Sequence, residues 1–379
     1  MENSTQLDLI ERALYCLEQQ TTHMVETSSA QPVEYYYSNK RLEKEQQVLF
    51  RQYPVIVAHA SELKKPGDFV SHDETGIPIV VIHGEDGRLK AFINVCRHRG
   101  TRLVPEKRGG GKKAFVCPYH GWTYDQEGKL IHITDRIGFP DLNCDQMGLV
   151  SVAVESRYGF VWVKPVPGSS IDIATYLGAI GGEIEAFAGA DNIVYKPTVI
   201  RRTLNWKLVV DIFLEAYHVK YVHRNSIYPI FFNNVGLHDR FYPHSRNTFP
   251  KRKILELKSI DKKEWSIRPY ANLLYFIFPN TLLLVEPDHI AVVTVFPDGT
   301  DNAILLTATL LPAFPSNEKE ERYWGKNIDI LMTAVNEDLL IGESIQKGLR
   351  SGANTHLTFA RFEQSLKCFH DAIEDALKD

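Results

Sequence analysis

The stretch "NVCRHRGTRLVPEKRGGGKKAFVCPYHGW", residues 94–122, carries two short motifs that each join a cysteine to a histidine. One residue separates Cys96 from His98, and two residues separate Cys117 from His120. Each motif follows a strand-like run, so a tight loop can direct both of its side chains at one point while a hairpin brings the loops together. The pattern therefore predicts one metal site that receives a cysteine and a histidine from each loop.

Pairs of thiolates and imidazoles bind either zinc or iron, and the way the ligands are divided between loops separates the two metals. A zinc finger of this composition usually carries its histidines together on one helix. One cysteine and one histidine per loop instead suits a 2Fe-2S cluster of the Rieske type, in which histidine replaces cysteine on one iron. The pattern favours a Rieske cluster over its alternatives, structural zinc and a chance grouping of core residues.

Length and composition indicate a globular protein with two domains. The chain has 379 residues, of which 44% are hydrophobic and 24% charged, and its net charge is -4, so it has no general attraction to nucleic acid or an anionic membrane. Five scattered cysteines argue against a disulfide framework. The start of the chain lacks the regions of a secretory signal, and no apolar stretch is long enough to span a bilayer. We expect a cytoplasmic protein that binds neither nucleic acid nor membrane.

The order of helical and strand-like patterns predicts three segments. Residues 1–44 form an N-terminal helical segment, with helical spacing over 5–19 and a second short helix that begins at Asn39. Residues 45–165 contain paired strand-like runs around Glu-Asp-Gly and Gln-Glu-Gly turns, which indicates a small all-β domain. The Pro, Gly and Ser residues of 165–169 then suggest a linker.

Residues 166–379 mix helices and strands, which predicts an α+β domain. Helical spacing covers 205–223, and two long helical patterns close the chain at 317–349 and 356–377. Between them, "LLYFIFPNTLLLVEPDHIAVVTVF" and "AILLTATLL" look like antiparallel strands. We expect the part of these strands around residues 275–289 to line a substrate pocket, with the neighbours Phe276, Phe278, Asn280 and Leu283.

A second group of possible metal ligands lies in "NWKLVVDIFLEAYHVKYVH", residues 205–223. Glu215 and His218 are three residues apart and share a helix face. His223 lies five residues beyond His218, about 140° away around an ideal helix, so both can bind one metal only where the helix distorts or ends. Two histidines and a carboxylate form the facial triad of mononuclear non-haem iron. The spacing therefore predicts a break in the helix and a carboxylate from elsewhere.

The motifs "CRHRG" and "CPYHGW", with the later Asn-Trp-Lys, Tyr-His and His pattern, resemble those of Rieske non-haem iron oxygenase α subunits. That family includes aromatic-ring-hydroxylating dioxygenases and Rieske monooxygenases. The resemblance covers the chain from about residue 45 onward. It implies an all-β Rieske 2Fe-2S domain followed by an α+β helix-grip (START-like) catalytic domain with an antiparallel sheet.

The resemblance also assigns residues to the two metal sites. It implies that Cys96 and Cys117 bind one iron of the cluster and that His98 and His120 bind the other. His218 and His223 would bind the mononuclear Fe(II) together with Asp338, the matching position in "NEDLLIGESIQKGL". Asp288, Glu337 and Glu343 are the competing carboxylates; we expect Glu337 and Glu343 to face solvent or to pair with Lys and Arg on neighbouring turns.

Family members place a bridging carboxylate three residues before the first iron-binding histidine. Glu215 holds that position, where many members have Asp, and Asp211 one turn earlier is the second candidate. The resemblance implies that this carboxylate carries electrons from a Rieske histidine of a neighbouring subunit, His98 or His120, to the mononuclear iron. It therefore implies a homotrimer whose subunits are arranged head to tail.

The function implied by the resemblance is that of a terminal oxygenase. It would use O2 and electrons that come from NAD(P)H through a partner reductase or ferredoxin, and it would hydroxylate a small organic substrate. An aromatic ring is the first interpretation of that substrate. The alternative is a monooxygenase that removes methyl groups from nitrogen or oxygen, or that cleaves a quaternary amine. A Rieske electron carrier and a zinc-binding interaction protein are the candidates outside oxygenase chemistry.

Overall fold

The computed structural model of this protein describes residues 1–378, which form two compact units. The larger unit contains residues 1–45, 179–187 and those from Asn192 onward, and the smaller unit contains residues 46–178 and 188–191. The helices are α1 (Asn3–Glu18), α2 (Asn39–Gln52), α3 (Ile173–Leu177), α4 (Ile180–Ala188), α5 (Trp206–Phe213), α6 (Val219–Val222), α7 (Glu318–Leu349) and α8 (Gln364–Ala376).

The described chain also contains several short 3-10 helices and nineteen strands. They are β1 (Ser29–Pro32), β2 (Val55–His59), β3 (Phe69–His72), β4 (Ile79–His83), β5 (Leu89–Ile93), β6 (Arg108–Gly109), β7 (Ala114–Val116), β8 (Thr123–Asp125), β9 (Leu130–His132), β10 (Ser151–Arg157), β11 (Phe160–Pro167), β12 (Ile193–Arg202), β13 (Leu237–Phe241), β14 (His244–Pro250), β15 (Ala271–Ile277), β16 (Thr281–Val285), β17 (Ile290–Pro297), β18 (Ala303–Leu311) and β19 (His356–Phe359).

The smaller unit is built from two antiparallel sheets. Seven strands follow the order β2-β11-β10-β5-β4-β3-β6, and three more follow the order β7-β8-β9. The hairpins predicted at the Glu-Asp-Gly and Gln-Glu-Gly turns are β4–β5 and β8–β9, and Gly87 and Gly128 occupy positive φ in those turns. A buried core that includes Phe92, Phe115 and Tyr124 lies beside Cys96, so the cysteine-bearing loops rest on packed aromatic rings.

The larger unit is organised around a seven-stranded antiparallel sheet with the order β12-β18-β17-β16-β15-β14-β13. Strands β14 to β18 pair with their sequence neighbours, as short connections favour. Every residue of β17 is buried, so the apolar run that predicted this strand reflects a central position in the sheet. Helix α5 packs against β17 and β18 on one side and against α7 on the other.

The segment Asn205-Trp206-Lys207 anchors α5 in the larger unit. The Asn205 side chain caps the helix by accepting a hydrogen bond from the Lys207 backbone N–H at 3.0 Å. Lys207 Nζ and Trp206 Nε1 both donate to Glu45 Oε2, at 2.8 and 3.0 Å. Glu45 is fully buried, and an ion pair without access to water holds only where both charges are hydrogen-bonded, so these contacts fix the start of α5.

Several predicted elements differ from those observed. The helical patterns near the N-terminus are confirmed as α1 and α2, and the pattern over 317–349 is confirmed as α7. The helix predicted over 356–377 is wrong at its start, because β19 occupies that part and pairs with β1; α8 begins only at Gln364. The stretch 165–169, predicted as a linker, begins inside β11. Among the residues described, no helix has the length and apolar character needed to cross a bilayer.

Candidate metal centres

The two cysteine-bearing loops of the smaller unit repeat one hydrogen-bond pattern. In each loop the cysteine N–H donates to a carbonyl five residues later at 2.8 Å, and the cysteine carbonyl accepts from a glycine N–H four residues later at 3.0 Å. The residues involved are Cys96, Gly100 and Thr101 in the first loop and Cys117, Gly121 and Trp122 in the second. Both glycines have positive φ, at 79° and 69°, a backbone conformation that glycine adopts without strain because it has no Cβ.

These loops bring two imidazoles together. Nδ1 of His98 and Nδ1 of His120 lie 3.1 Å apart, which is close to the separation expected for two ligand atoms of one metal ion. The His98 ring stacks on Trp122, with ring centroids 4.8 Å apart and planes at 8°, and the Tyr119 ring lies 3.7 Å from that of His120. Both imidazoles are therefore held in orientation by aromatic neighbours.

The two thiols lie deeper than the imidazoles and are not joined in a disulfide. Cys96 and Cys117 are 2% and 3% exposed, and the Tyr124 hydroxyl is 3.4 Å from Cys96 Sγ. Burial raises the pKa of the Cys96 thiol, and the neighbouring Cys117 thiol adds to the increase. A buried pair of thiols becomes thiolate when a metal cation compensates the charge, so these four side chains fit a Rieske cluster.

In the larger unit, three side chains predicted to bind iron converge on one point. His218 Nε2 and His223 Nε2 lie 3.2 Å apart, and Asp338 Oδ1 is 3.4 Å from the first and 2.9 Å from the second. Ligand atoms about 2.1 Å from a metal and at right angles to one another would be about 3 Å apart. Asp338 Oδ1 is buried and has no hydrogen bond of acceptable geometry in the described chain. The three atoms fit one face of a metal ion.

The helix predicted over 205–223 is interrupted before His218, and its second part ends at Val222, directly before His223. Helix α5 ends at Phe213, and α6 begins only at Val219. The Glu215 carboxylate accepts hydrogen bonds from the backbone N–H groups of Tyr217 and His218, which caps the start of α6. His218 stands at the N-terminal boundary of α6 and His223 at its C-terminal boundary. A helix of one turn therefore allows both imidazoles to face one point, as the 140° offset requires.

Each of these imidazoles is oriented by a second carboxylate. Glu215 Oε1 accepts a hydrogen bond from His218 Nδ1, and Glu337 Oε2 accepts one from His223 Nδ1 at 2.7 Å. Such bonds fix the tautomer that leaves Nε2 available for a metal. The expectation that Glu337 faces solvent or pairs with Lys or Arg is wrong, because α7 directs it toward His223, where Ser226 also donates to it at 2.6 Å.

The charges of the two imidazoles and the carboxylates around them favour a bound cation. Burial lowers the pKa of His218, but the hydrogen bond and charge of Glu215 and the charge of Asp338 outweigh it, so the pKa is raised. For His223, burial is likewise outweighed by Asp338 and Glu337. Three carboxylates thus surround two imidazoles in a largely buried site, and a divalent metal ion compensates this excess of negative charge.

The other candidate carboxylates lie elsewhere in the larger unit. Glu343 is 3.8 Å from Arg202 of β12, so it pairs with an arginine as expected, although across to a strand. Asp211 Oδ2 accepts from the Tyr36 hydroxyl at 2.7 Å and Asp211 Oδ1 lies 2.8 Å from His370 Nε2, which ties α5 to α8. Asp288 accepts hydrogen bonds from Tyr323 and His289. None of these three belongs to the converging group.

A cavity of about 330 Å³ lies beside the triad. Its walls come from the segment between α5 and α6, from α7 and from the ends of β14, β15 and β16, and they are mostly apolar. The strands around residues 275–289 contribute Leu284, Glu286, Asp288 and His289, as predicted. Phe276, Phe278, Asn280 and Leu283 are buried and do not line it, because the cavity lies at the other end of β15, where Asn272, Leu273 and Leu274 contribute instead.

Comparison with protein families assigns both units. Residues 53–140 match the Rieske [2Fe-2S] domain, and residues 190–379 match the ring-hydroxylating alpha subunit (catalytic domain). The first match contains both cysteine-bearing loops, and the second contains the triad and its cavity. The two matches thus lie over the two groups of candidate ligands.

Named relatives extend across most of the chain. The oxygenase subunit of carnitine monooxygenase from Escherichia coli K12 is 28% identical over 329 residues, which are 84% of each chain. The chloroplastic choline monooxygenase of Arabidopsis thaliana is 27% identical over 339 residues, which are 85% of this chain and 76% of the relative. A solved structure of a quaternary ammonium Rieske monooxygenase in complex with L-carnitine has the same fold, with a TM-score of 0.78 and 22% identity over 92% of this chain and 94% of that chain.

Proposed function

The chain belongs to the ring-hydroxylating alpha-subunit family and is a Rieske terminal oxygenase, and we propose that its substrate is a small quaternary ammonium compound. The observation that carries this proposal is the match, along most of both chains, to oxygenase subunits that are named for carnitine and choline. It favours the alternative interpretation of the sequence, a monooxygenase that removes methyl groups from nitrogen or oxygen or cleaves a quaternary amine, over hydroxylation of an aromatic ring.

The cavity supports a small cationic substrate. Its volume of about 330 Å³ suits a compound of this size, and its lining combines Phe231, Phe249 and Tyr323 with the carboxylate of Asp288. Aromatic faces and carboxylates both attract a quaternary ammonium group, which cannot donate hydrogen bonds. An uncharged aromatic ring would need the apolar walls alone and would leave the Asp288 carboxylate without a role in binding.

We assign the metal ligands as follows. Cys96, Cys117, His98 and His120 would hold the 2Fe-2S cluster, and His218, His223 and Asp338 would hold the mononuclear iron. When bound, the cluster stores and passes on single electrons, and the mononuclear iron supplies positions for the activation of dioxygen. Glu215 and Glu337 keep Nδ1 of the two late histidines protonated, so that each Nε2 remains a ligand.

The reaction balances with electrons from outside the chain. One atom of O2 is inserted into a C–H bond of the substrate to give an alcohol, and the other atom leaves as water after taking up two protons. The two electrons come from a partner reductase, on which an oxygenase subunit depends. Where the hydroxylated carbon also carries nitrogen or oxygen, the product loses amine or water and becomes a carbonyl compound.

We further propose that the functional assembly is a homotrimer in which Glu215 joins the two metal centres of neighbouring subunits. Glu215 lines the substrate cavity and also a second depression of the larger unit, formed with Asp211, Leu349 and Glu363. Its carboxylate therefore lies between the triad and a surface that a neighbouring subunit could cover. Sedimentation of the purified protein at a mass of three chains is the expected result.

The proposed activity is tested with the metallated enzyme, a compatible reductase and 18O2. Choline, L-carnitine and glycine betaine are compared with simple aromatic acids and hydrocarbons, and product, peroxide and oxygen consumption are measured together. We expect at least one quaternary ammonium compound to give an 18O-labelled product or the corresponding carbonyl compound with little peroxide. Coupled ring hydroxylation, with all the quaternary compounds yielding only peroxide, would overturn the proposal.

A further inference from the structure

One end of the substrate cavity carries an ion pair that the metal ligands do not use. Lys251 Nζ donates to Glu286 Oε2 at 3.1 Å, and Asn272 Nδ2 donates to Glu286 Oε1 at 2.6 Å. All three residues line the cavity. We call this group the polar pole. The role of the polar pole rests on the proposed function, because this role concerns the substrate of the same site.

Sheet register brings the polar pole together. Lys251 directly follows β14, Asn272 is in β15, and Glu286 directly follows β16. These three strands are adjacent in the sheet. The pairs Phe249 with Asn272 and Leu273 with Val285 place the three residues of the polar pole at the same end of the strands. A position fixed by three paired strands varies little, which suits a group that sets the orientation of a ligand.

The backbone around Glu286 is also held. Arg268 Nε donates to the Glu286 carbonyl at 2.6 Å, and the Glu286 N–H donates to the His289 carbonyl at 3.0 Å. The Asn272 NH2 group donates a hydrogen bond to Glu286, although Asn272 Oδ1 is buried without a hydrogen-bond partner in the described chain. An unsatisfied buried oxygen destabilises the folded chain, so the contact that fixes Glu286 is kept despite a cost in stability.

The charges of the polar pole select the chemistry of its ligand. Lys251 is a cation and repels a trimethylammonium group, whereas Glu286 and the nearby Asp288 repel a carboxylate. A hydroxyl group is neutral, accepts a hydrogen bond from an ammonium and donates one to a carboxylate. Lys251 has three N–H donors, so a ligand oxygen can bind without breaking the contact with Glu286.

We propose that the polar pole binds a hydroxyl group of the substrate between Lys251 and Glu286, so that the enzyme prefers quaternary ammonium alcohols to quaternary ammonium carboxylates. Asn272 is a positioning residue that holds Glu286. The hydroxyl end of the substrate is thereby anchored among the strand ends, and the remainder of the molecule extends along the apolar walls toward the triad.

Three ligands that differ only at one end test this preference. Choline carries a hydroxyl group, glycine betaine carries a carboxylate in its place, and ethyltrimethylammonium carries neither. Binding to the metallated enzyme is measured by calorimetry without oxygen, so the readout does not depend on turnover. Because hydrogen bonds to charged groups contribute about 1.5–3 kcal/mol, we expect choline to bind at least about tenfold more tightly than either of the others.

Glu286→Gln should change the affinity for the carboxylate ligand in the opposite direction to the affinity for choline. The substitution leaves the charge of Lys251 unpaired, so glycine betaine should bind more tightly while choline loses most of its advantage over ethyltrimethylammonium. Such a crossing of affinities does not arise from general damage to the fold. Glu321→Gln is the matched control, since Glu321 pairs with Lys196 on the surface, and all three affinities should keep their wild-type values.

The outcomes separate this inference from the proposed function. Equal affinities for choline and ethyltrimethylammonium in the wild type, or an unchanged ranking in Glu286→Gln, would overturn the role of the polar pole while leaving a quaternary ammonium substrate in place. Failure of all three cations to bind, together with coupled oxidation of an aromatic compound, would overturn the proposed function itself.

Discussion

Glu337 and His223 are joined by a hydrogen bond of 2.7 Å between Oε2 and Nδ1, while the next residue of α7, Asp338, approaches Nε2 of the same imidazole at 2.9 Å. Two consecutive residues of one helix thus act on the two nitrogens of one ring. The first orients the imidazole, and the second would share its metal under the proposed ligand assignment, so α7 carries both a proposed ligand and the residue that directs another.

Replacement of Glu337 is expected to weaken iron binding without loss of the 2Fe-2S cluster. In Glu337→Ala the His223 ring loses the partner that fixes its tautomer, and affinity at the mononuclear site should fall by about 10- to 100-fold. Iron titration of the metal-depleted site measures the change. Glu321→Ala, on the exposed surface of the same helix, is the control, and equal iron affinity in both variants would contradict the role given to Glu337.

Removal of one imidazole should separate the two metal centres. His218→Ala is expected to lower iron content from three to two per chain and to abolish substrate oxidation, because two ligands do not retain the mononuclear iron. The visible absorption of the Rieske cluster should stay unchanged, since its assigned ligands lie in residues 94–122. Loss of colour in this variant would mean that the sites are not independent.

Glu215→Gln is expected to keep both metals and to slow electron transfer between them. The amide can still accept a hydrogen bond from His218 Nδ1, but it carries no negative charge to stabilise a protonated imidazole on either side. Rapid mixing of the reduced enzyme with oxygen and substrate measures cluster oxidation in a single turnover. The matched control is Glu343→Gln, and a rate equal to that of the control would contradict the bridge.

Gly342 sets the distance between α5 and α7. A Cβ at this position would lie 2.4 Å from Leu204 Cδ1 and 3.1 Å from Ile212 Cδ1, so Gly342→Ala requires the Leu204 side chain to change rotamer or α7 to move. We expect a loss of about 1–3 kcal/mol in unfolding free energy and a lower melting temperature. Gly325→Ala, in open space on the same helix, should raise stability by up to about 1 kcal/mol. Equal stability of the two variants would exclude this tight contact.

The smaller unit should lose stability as pH falls below 6.5. Burial lowers the pKa of His72 from 6.5 to about 4, although Glu74 opposes the shift. Between these values the unfolded chain binds a proton that the folded chain does not, so stability is complete above pH 6.5 and decreases toward pH 4. At pH 5 the loss is about 2 kcal/mol. Thermal unfolding of wild type and His72→Gln between pH 7 and 5 should show the shallower pH dependence in the variant.

The cysteine-bearing loops could be predicted from sequence because each is a local structure. Cys96 and Cys117 stand a few residues from the histidines and glycines that complete their loops, so spacing alone carries the information. The end of α6 directly before His223 was also predictable, since two histidines five residues apart cannot face one point on an intact helix. Asp338 required the family resemblance, because nothing near it in the sequence indicates a metal ligand.

Other features depend on contacts between distant segments and were missed. We expected Glu337 to face solvent or to pair with Lys or Arg, because no residue near it on α7 indicates a contact with His223. The adjacent acidic pair Glu337-Asp338 was the one local sign of such a contact. The apolar composition of β15 and β16 does not indicate which end of these strands faces the cavity, so the predicted residues lie near the turn between the strands and the observed ones at the opposite end. The strand β19 was taken for helix because its partner β1 lies more than 300 residues earlier.

The polar pole lies at the ends of β14, β15 and β16. The triad lies on α7 and at the two ends of α6, and α7 packs against α5, which contacts β17 and β18 of the same sheet. The distance between the polar pole and the triad is therefore set by packing in the core and not by any residue that touches substrate. Leu204 and Ile212, wedged against Gly342, belong to that packing. Changes in such interior side chains would alter which carbon of an anchored molecule reaches the oxidising end, and selectivity for chain length could evolve with no change in the cavity wall.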